Sequence, residues 1–255
     1  MQNLHSMAKQ ILSLIDLTSL NDNDTEDNIK NLCQNTTNAY GYVPAICIYS
    51  RFVQYAKELL QEINTRVKIA TVVNFPHGST DIELACYETS LAIKCGADEI
   101  DLVFPYHDLI NGNDKTGFDM VKAAKNICGN KTLKVIIESG ILKTENLIKR
   151  ASEISIEAGA NFIKTSTGKV AVNATLEATE IMLNVIKSSG KKCGFKAAGG
   201  IKTVSEAIKY LELTAKIIGP NWINSNNFRF GASSLLANIV NILLDNASTI
   251  KNSDY

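Results

Sequence analysis

The chain has 255 residues, 45% of them hydrophobic, and its mean hydropathy is close to zero. Its 26 basic and 26 acidic side chains leave no net charge to attract nucleic acid or an anionic membrane. No apolar run is long enough to span a bilayer, and the opening segment, interrupted by Asp16, lacks the features of a secretory signal. We therefore expect a soluble globular domain with no nucleic-acid or membrane partner.

The cysteines and histidines show no metal-binding pattern. The six cysteines include no C-x-x-C pair, which argues against a zinc site and against a small disulfide scaffold. We expect reduced thiols and a cytoplasmic protein. The three histidines, His5, His77 and His107, lack ligand spacing, so the sequence predicts neither a metal nor another cofactor.

Apolar strand-like runs and helical segments alternate eight times along the chain. The predicted strands cover residues 11–16, 45–49, 67–73, 99–104, 133–139, 161–164, 194–197 and 228–231. The intervening helices include one that opens at the capping pair Thr80 and Glu83 and a closing one from Ser233 or Ser234 to about Leu244. The strands are apolar throughout, as expected of buried parallel strands.

This alternation, at about 32 residues per unit, predicts an α/β protein with a single-domain (β/α)₈ TIM barrel over residues 1–255. Residues 246–255 are polar and are predicted to form a mobile tail. The alternative is an open doubly wound sheet. That fold favours a glycine-rich turn after the first strand, which the segment IDLTSLNDND lacks.

Two lysines end apolar runs on successive predicted strands: Lys164 in NFIKTSTGKV and Lys196 in CGFKAAGG. Placing a charged amine in a buried strand is costly unless a partner or a reaction requires it. An ammonium group near an amine favours the unprotonated, nucleophilic form of that amine. We assign Lys164 as the nucleophile and Lys196 as its charged neighbour, although the sequence alone also permits the reverse.

An internal repeat brings in a carboxylate. Asp101 and Lys164 each stand five residues after a glycine that ends a helix, in GADEID and GANFIK. If the two units match in height, both charges face the barrel interior near its carboxyl mouth, where barrel enzymes hold their sites. Asp101 could then move protons. Asp16, at the end of the first strand, is a weaker candidate for support, and Cys47 is read first as a small buried side chain.

Glycines and hydroxyls follow the last strands, where barrels often bind phosphate through backbone N–H groups. The predicted phosphate-binding residues are Gly168, Lys169, Gly199, Gly200, Ser233 and Ser234.

Several ordered segments together resemble the 2-deoxy-D-ribose-5-phosphate aldolase family of class I aldolases. They include ATVVNFPHG, ADEIDLVFPY, LKVIIESG, FIKTSTGK, GFKAAGGIKT and RFGASSLL, within a likeness from about Leu12 to Ala237. The resemblance implies reversible, metal-free cleavage of 2-deoxyribose 5-phosphate to acetaldehyde and glyceraldehyde 3-phosphate, in deoxyribonucleotide catabolism. Its partner would be a small phosphosugar. The oligomeric state is not determined, and a homodimer is left open.

The same resemblance implies roles for individual residues. The family's Schiff-base lysine falls on Lys164, its second lysine on Lys196 and its proton-relay aspartate on Asp101. Its phosphate-binding segments fall on the six residues named above. Tyr255 is similar to a C-terminal tyrosine that some members fold back into the site. Two rival readings are a Schiff-base lyase acting on another phosphosugar and a noncatalytic phosphosugar sensor.

Overall fold

The computed structural model describes the backbone of residues 4–251 and the side chains of residues 4–244. Eight parallel strands form a closed barrel in which each strand pairs with the next along the chain and the eighth pairs with the first. Helices alternate with the strands. The predicted (β/α)₈ barrel is confirmed.

The barrel strands are buried almost throughout, because side chains of the barrel fill one face and helices cover the other. They are β1 Ile15–Thr18, β2 Ala45–Ile48, β3 Lys68–Val73, β4 Glu99–Val103, β5 Thr132–Ile136, β6 Phe162–Lys164, β7 Gly194–Ala198 and β8 Phe228–Ala232.

The helices pack their apolar faces on this barrel. They are α1 Leu4–Leu12, α2 Glu26–Gln34, α3 Val53–Glu62, α4 Ile82–Cys95, α5 Tyr106–Ile110, α6 Asp114–Cys128, α7 Ser139–Leu142, α8 Glu145–Glu157, α9 Leu176–Ser189, α10 Val204–Ile217 and α11 Leu235–Lys251. Within residues 4–251, no helix combines the length and apolarity needed to cross a bilayer.

The boundaries of two elements differ from the prediction. The first strand begins at Ile15, not at Ile11, because Ile11 and Leu12 belong to the buried face of the amphipathic helix α1. The N-cap of α4 is Asp81, not Thr80. Its carboxylate accepts a hydrogen bond from the backbone N–H of Leu84 at 2.8 Å.

The closing helix is longer than predicted. Helix α11 continues to Lys251, past the predicted end at Leu244, and so includes part of the segment expected to form a tail. Residues 245–251 contain neither proline nor glycine, so nothing in this segment interrupts the backbone hydrogen bonds of the helix at 244. Tyr255 lies outside the described residues.

Helix α7 is pressed against the loop that follows β6. A Cβ atom at Gly140 would overlap the carbonyl oxygen of Val172, which is a backbone atom and can move only with its loop. The absence of a side chain at Gly140 therefore lets helix α7 and the loop after β6 approach one another.

We expect Gly140→Ala to destabilise the fold by about 1–3 kcal/mol, as overpacking of a tight contact does. A circular dichroism melt should show Tm lowered by several degrees. An unchanged Tm would show that the Val172 loop moves away at no cost.

Candidate active site

The interior of the barrel is charged. Among residues 4–244, seven charged side chains that are at most 2% exposed point into it from six strands. They are the carboxylates Asp16, Glu99 and Asp101 and the cations Lys134, Lys164, Lys196 and Arg229. Side chains alternate between the two faces of a strand, which is why Glu99 and Asp101, two residues apart on β4, both point inward. Buried charges are tolerated only when they are paired.

The two lysines predicted for the site meet on one carboxylate oxygen. Lys164 lies directly beside Lys196 in the pairing of β6 with β7. Their ammonium groups donate to the same oxygen of Asp101, Oδ2, at 2.9 and 2.8 Å respectively. The two nitrogens are therefore no more than about 6 Å apart, which is close enough for like charges to disfavour one another.

A third lysine, Lys134 on β5, joins this cluster. Its ammonium lies 2.6 Å from Asp101 Oδ1, 2.7 Å from Glu99 Oε2 and 3.6 Å from Asp16 Oδ2. It is fully buried. Lys134 therefore fixes the orientation of the Asp101 carboxylate, leaving Oδ2 to face Lys164 and Lys196.

Asp16 also lies in the network, as the weaker prediction allowed. It accepts a hydrogen bond from Lys196 at 2.5 Å and another from Arg229. The second arm of the Arg229 guanidinium lies 3.2 Å from Glu99. Asp16 thus contacts Lys164 only indirectly, through Lys196.

These contacts fix the charge states. Burial alone would raise the pKa of Asp101, but Lys134, Lys164 and Lys196 outweigh it and hold that pKa well below its usual range. Burial alone would lower the pKa of Lys196, but Asp101 and Asp16 reverse this effect and raise it. At neutral pH Asp101 is a carboxylate and Lys196 an ammonium.

Cys47 lies at the edge of the cluster. Its Sγ is 3.9 Å from Asp101 Oδ2 and is fully buried. Burial raises the pKa of this thiol, which therefore stays protonated at neutral pH. A neutral thiol is a poor nucleophile, so the structure favours the packing interpretation of Cys47.

A cavity of about 310 Å³ opens above Lys164 at the carboxyl ends of β1, β6, β7 and β8. All six residues predicted to bind phosphate line it: Gly168, Lys169, Gly199, Gly200, Ser233 and Ser234. Gly168, Gly199 and Gly200 have backbone φ angles of 87°, 82° and 85°, a conformation that favours glycine. The two serines precede α11, whose first N–H groups point to this end. Lys164 and the predicted phosphate site therefore share one cavity.

The described residues, 4–244, show no cluster of metal ligands. Among the described side chains, no group of three or more His, Cys, Asp and Glu residues is placed to hold a metal ion.

Residues 10–239 match the model of the DeoC/LacD family aldolase. The chain belongs to this aldolase family. It is therefore a lyase whose barrel places a lysine cluster beneath a cavity at the carboxyl ends of the strands.

Solved structures agree with this assignment. A Toxoplasma gondii ME49 protein assigned as a deoxyribose-phosphate aldolase is 25% identical, with a TM-score of 0.87 and coverage of 95% of this chain and 97% of that one. A protein of Coccidioides immitis with the same assignment is 28% identical, with a TM-score of 0.82 and coverage of 92% and 86%. The tetrameric deoxyribose phosphate aldolase of Aeropyrum pernix, 22% identical, shares the fold with a TM-score of 0.73 and coverage of 97% and 98%.

Sequence reasoning missed three residues of this DeoC/LacD-family site: Lys134, Glu99 and Arg229. Each stands in a short apolar run, in LKVII, EIDLV and FRF, so each carried the signal that singled out Lys164. Glu99 could also have been found from its spacing, because residues two apart on a strand share a face.

A further missed residue, Glu138, holds the loop after β6. Its backbone adopts the left-handed conformation with φ of 56°, which is unusual for a residue other than glycine. Its carboxylate accepts hydrogen bonds from the Thr167 hydroxyl at 2.5 Å and the Thr167 backbone N–H at 3.3 Å. Because Thr167 lines the cavity, Glu138 fixes one of its walls.

We expect Glu138→Gln to alter the pH dependence of stability. Burial raises the pKa of Glu138, more than its bonds to Thr167 lower it. A raised carboxyl pKa means that the wild type loses stability as pH rises through that pKa, whereas glutamine does not ionise.

Thermal melts at pH 4 to 8 should therefore show the variant gaining in Tm relative to the wild type as pH increases. A Tm difference that stays constant over this range would contradict the expectation.

Proposed function

We propose that this aldolase reversibly cleaves 2-deoxy-D-ribose 5-phosphate to acetaldehyde and D-glyceraldehyde 3-phosphate through a Schiff base on Lys164. The observation that carries the proposal is that Lys164 lines the cavity and shares the carboxylate of Asp101 with Lys196. The names of the Toxoplasma and Coccidioides relatives support the choice of substrate. In this role the enzyme would act in deoxyribonucleotide catabolism.

The contacts of the three interior lysines favour Lys164 as the nucleophile. Among the side chains of residues 4–244, Lys134 has three carboxylates within 4 Å and Lys196 has two, whereas Lys164 has only Asp101. Attack on a carbonyl needs the unprotonated amine, and Lys164 is the interior lysine with the fewest carboxylate partners among the described residues. Lys196, kept charged by its two carboxylates, serves as the charged neighbour. On this ground our proposal keeps Lys164 as the nucleophile and Lys196 as its charged neighbour.

The reaction follows from this arrangement. The free amine of Lys164 attacks C1 of the open-chain sugar, and loss of water gives a protonated imine. That cation draws the C2–C3 bonding electrons toward C1 while the proton of the C3 hydroxyl leaves, which releases glyceraldehyde 3-phosphate and an enamine. Protonation of the enamine at C2 and addition of water then free acetaldehyde and the lysine. Asp101, in contact with the amine, would relay these protons directly or through water.

The other end of the cavity suits the substrate's phosphate. Gly168, Gly199 and Gly200 bring backbone close to the ligand, and the Ser233–Ser234 pair opens the N-terminus of α11. Lys169 would add a positive charge. Its ammonium lies 3.5 Å from the exposed Asp22 carboxylate, so it is held over the mouth of the cavity. The phosphate would thereby fix C1 of the sugar over Lys164.

We also infer a cytoplasmic setting. All six cysteines are free thiols in the structure, four of them buried, which suits a reducing compartment.

We expect borohydride, added with 2-deoxyribose 5-phosphate, to attach a reduced adduct to Lys164, identified by peptide mass mapping. Lys164→Arg should abolish the adduct and lower kcat/KM at least about a thousandfold, because guanidinium stays protonated. Lys169→Met, on the cavity wall, is the control and should still form the adduct at saturating substrate.

An adduct on another lysine, or cleavage that survives Lys164→Arg, would contradict the proposal. Binding of the phosphosugar without any trapped adduct would instead favour a noncatalytic sensor. Trapping only with a different phosphosugar would favour a lyase of other specificity.

Lys169→Met also tests the phosphate site. We expect kcat/KM for 2-deoxyribose 5-phosphate to fall about tenfold, the loss of one charge-assisted contact, while kcat/KM for unphosphorylated 2-deoxyribose changes less than about twofold. Steady-state kinetics on both sugars give the comparison. An equal loss on both would place Lys169 outside the phosphate site.

A further inference from the structure

The interior charges form a closed ring of alternating sign. The contacts run from Asp16 to Lys196 at 2.5 Å, to Asp101 at 2.8 Å, to Lys134 at 2.6 Å, to Glu99 at 2.7 Å, to Arg229 at 3.2 Å and back to Asp16. We call these six residues the ion-pair ring. It contains three anions and three cations, so it is electrically balanced by itself.

Lys164 lies outside the ion-pair ring. It contacts Asp101 Oδ2, an oxygen that already accepts a hydrogen bond from Lys196. With the six ring members and Lys164 ionised, these seven groups carry one positive charge in excess. Loss of a proton from Lys164 removes that excess and weakens its pair with Asp101, whereas loss from a cation of the ring would weaken at least two ion pairs. Charge interactions are strong here because the groups are buried.

We propose that Glu99 and Arg229 are positioning residues: they complete the balanced ion-pair ring and thereby leave Lys164 as the one cation outside it among the described interior residues. This inference rests on the proposed role of Lys164 as the Schiff-base lysine. Neither residue touches the cavity, so neither contacts substrate. They act through the ring: Glu99 balances Lys134, and Arg229 balances Asp16.

The position of this pair in the barrel supports the inference. Arg229 stands beside Lys196 in the pairing of β8 with β7, and its Nε donates to the backbone carbonyl of Ser225. The half-exposed Lys68 reaches Glu99 at 3.4 Å. The pair therefore closes the ring on the side away from the cavity and fixes the charge balance beneath the reacting amine.

Other ionisable groups also face Lys164. Asp101 contacts it directly, Lys196 lies beside it and shares the same Asp101 oxygen, and Asp16, Lys134, Cys47 and Glu138 lie around them. The variants below change none of these six groups. A shift in the titration of adduct formation would therefore report the charge balance of the ring.

The test measures the rate of borohydride trapping against pH at saturating substrate. The midpoint is the pH at which this rate reaches half of its maximum. Glu99→Gln leaves four cations against two anions, so Lys164 should lose its proton more readily and the midpoint should move down by about one pH unit. Arg229→Met leaves three cations against three anions. The positive charge on Lys164 is then balanced, so the midpoint should move up by about one pH unit.

The double variant restores the original excess of one positive charge. Its midpoint should return close to the wild-type value, and replacing a whole buried pair is often tolerated by the fold. Lys115→Met and Asp119→Asn remove the partners of an exposed ion pair on α6 and serve as controls that should leave the midpoint unmoved.

If a single variant fails to fold by circular dichroism, Lys68→Met gives a milder test. It removes an exposed cation from Glu99 without breaking the ring, so the midpoint should rise by a few tenths of a pH unit. An unmoved midpoint in that variant, or shifts of equal direction in Glu99→Gln and Arg229→Met, would overturn the proposal. A wild-type adduct absent from Lys164 would instead overturn the proposed function on which it rests.

Discussion

The site depends on one carboxylate shared by three lysines. Asp101 accepts hydrogen bonds from Lys164 and Lys196 on one oxygen and from Lys134 on the other. Without it, three buried ammonium groups would repel one another at short range in a medium that screens poorly. With it, the three ammonium groups share one counter-charge. Lys134 and Lys196 contact further carboxylates as well, whereas among the described residues Lys164 pairs with Asp101 alone.

The barrel makes this sharing geometrically simple. Closed parallel pairing places β4, β5, β6 and β7 side by side, so four consecutive strands point one charged residue each at the same interior point. The same closure puts the loops after β6, β7 and β8 around one cavity directly above that point. A bound phosphosugar would therefore meet its anion site and its nucleophile at opposite ends of one opening, which explains why the fold suits an aldolase of this family.

Much of this arrangement could be predicted from the residues. A lysine at the end of an apolar strand, repeated on the next strand, is costly to bury, and Lys164 and Lys196 proved to be neighbours. The glycines after β6 and β7, predicted to bind phosphate, line the cavity. Lys134, Glu99 and Arg229 were overlooked, because a lone charge in an apolar run does not disclose its partner. Element ends were less certain, since helix and strand propensity overlap around Ile11.

The sequence by itself determined the order of strands and helices, the barrel class and the lysines and glycines that face its mouth, because these follow from local periodicity and from the cost of burying charge. Only the tertiary structure decided which charges pair. Residues as distant along the chain as Asp16 and Arg229 meet because the barrel closes, bringing β8 against β1. Ion pairing depends on distance in space, which no local pattern encodes, and that distance distinguishes Lys164 from the other two lysines.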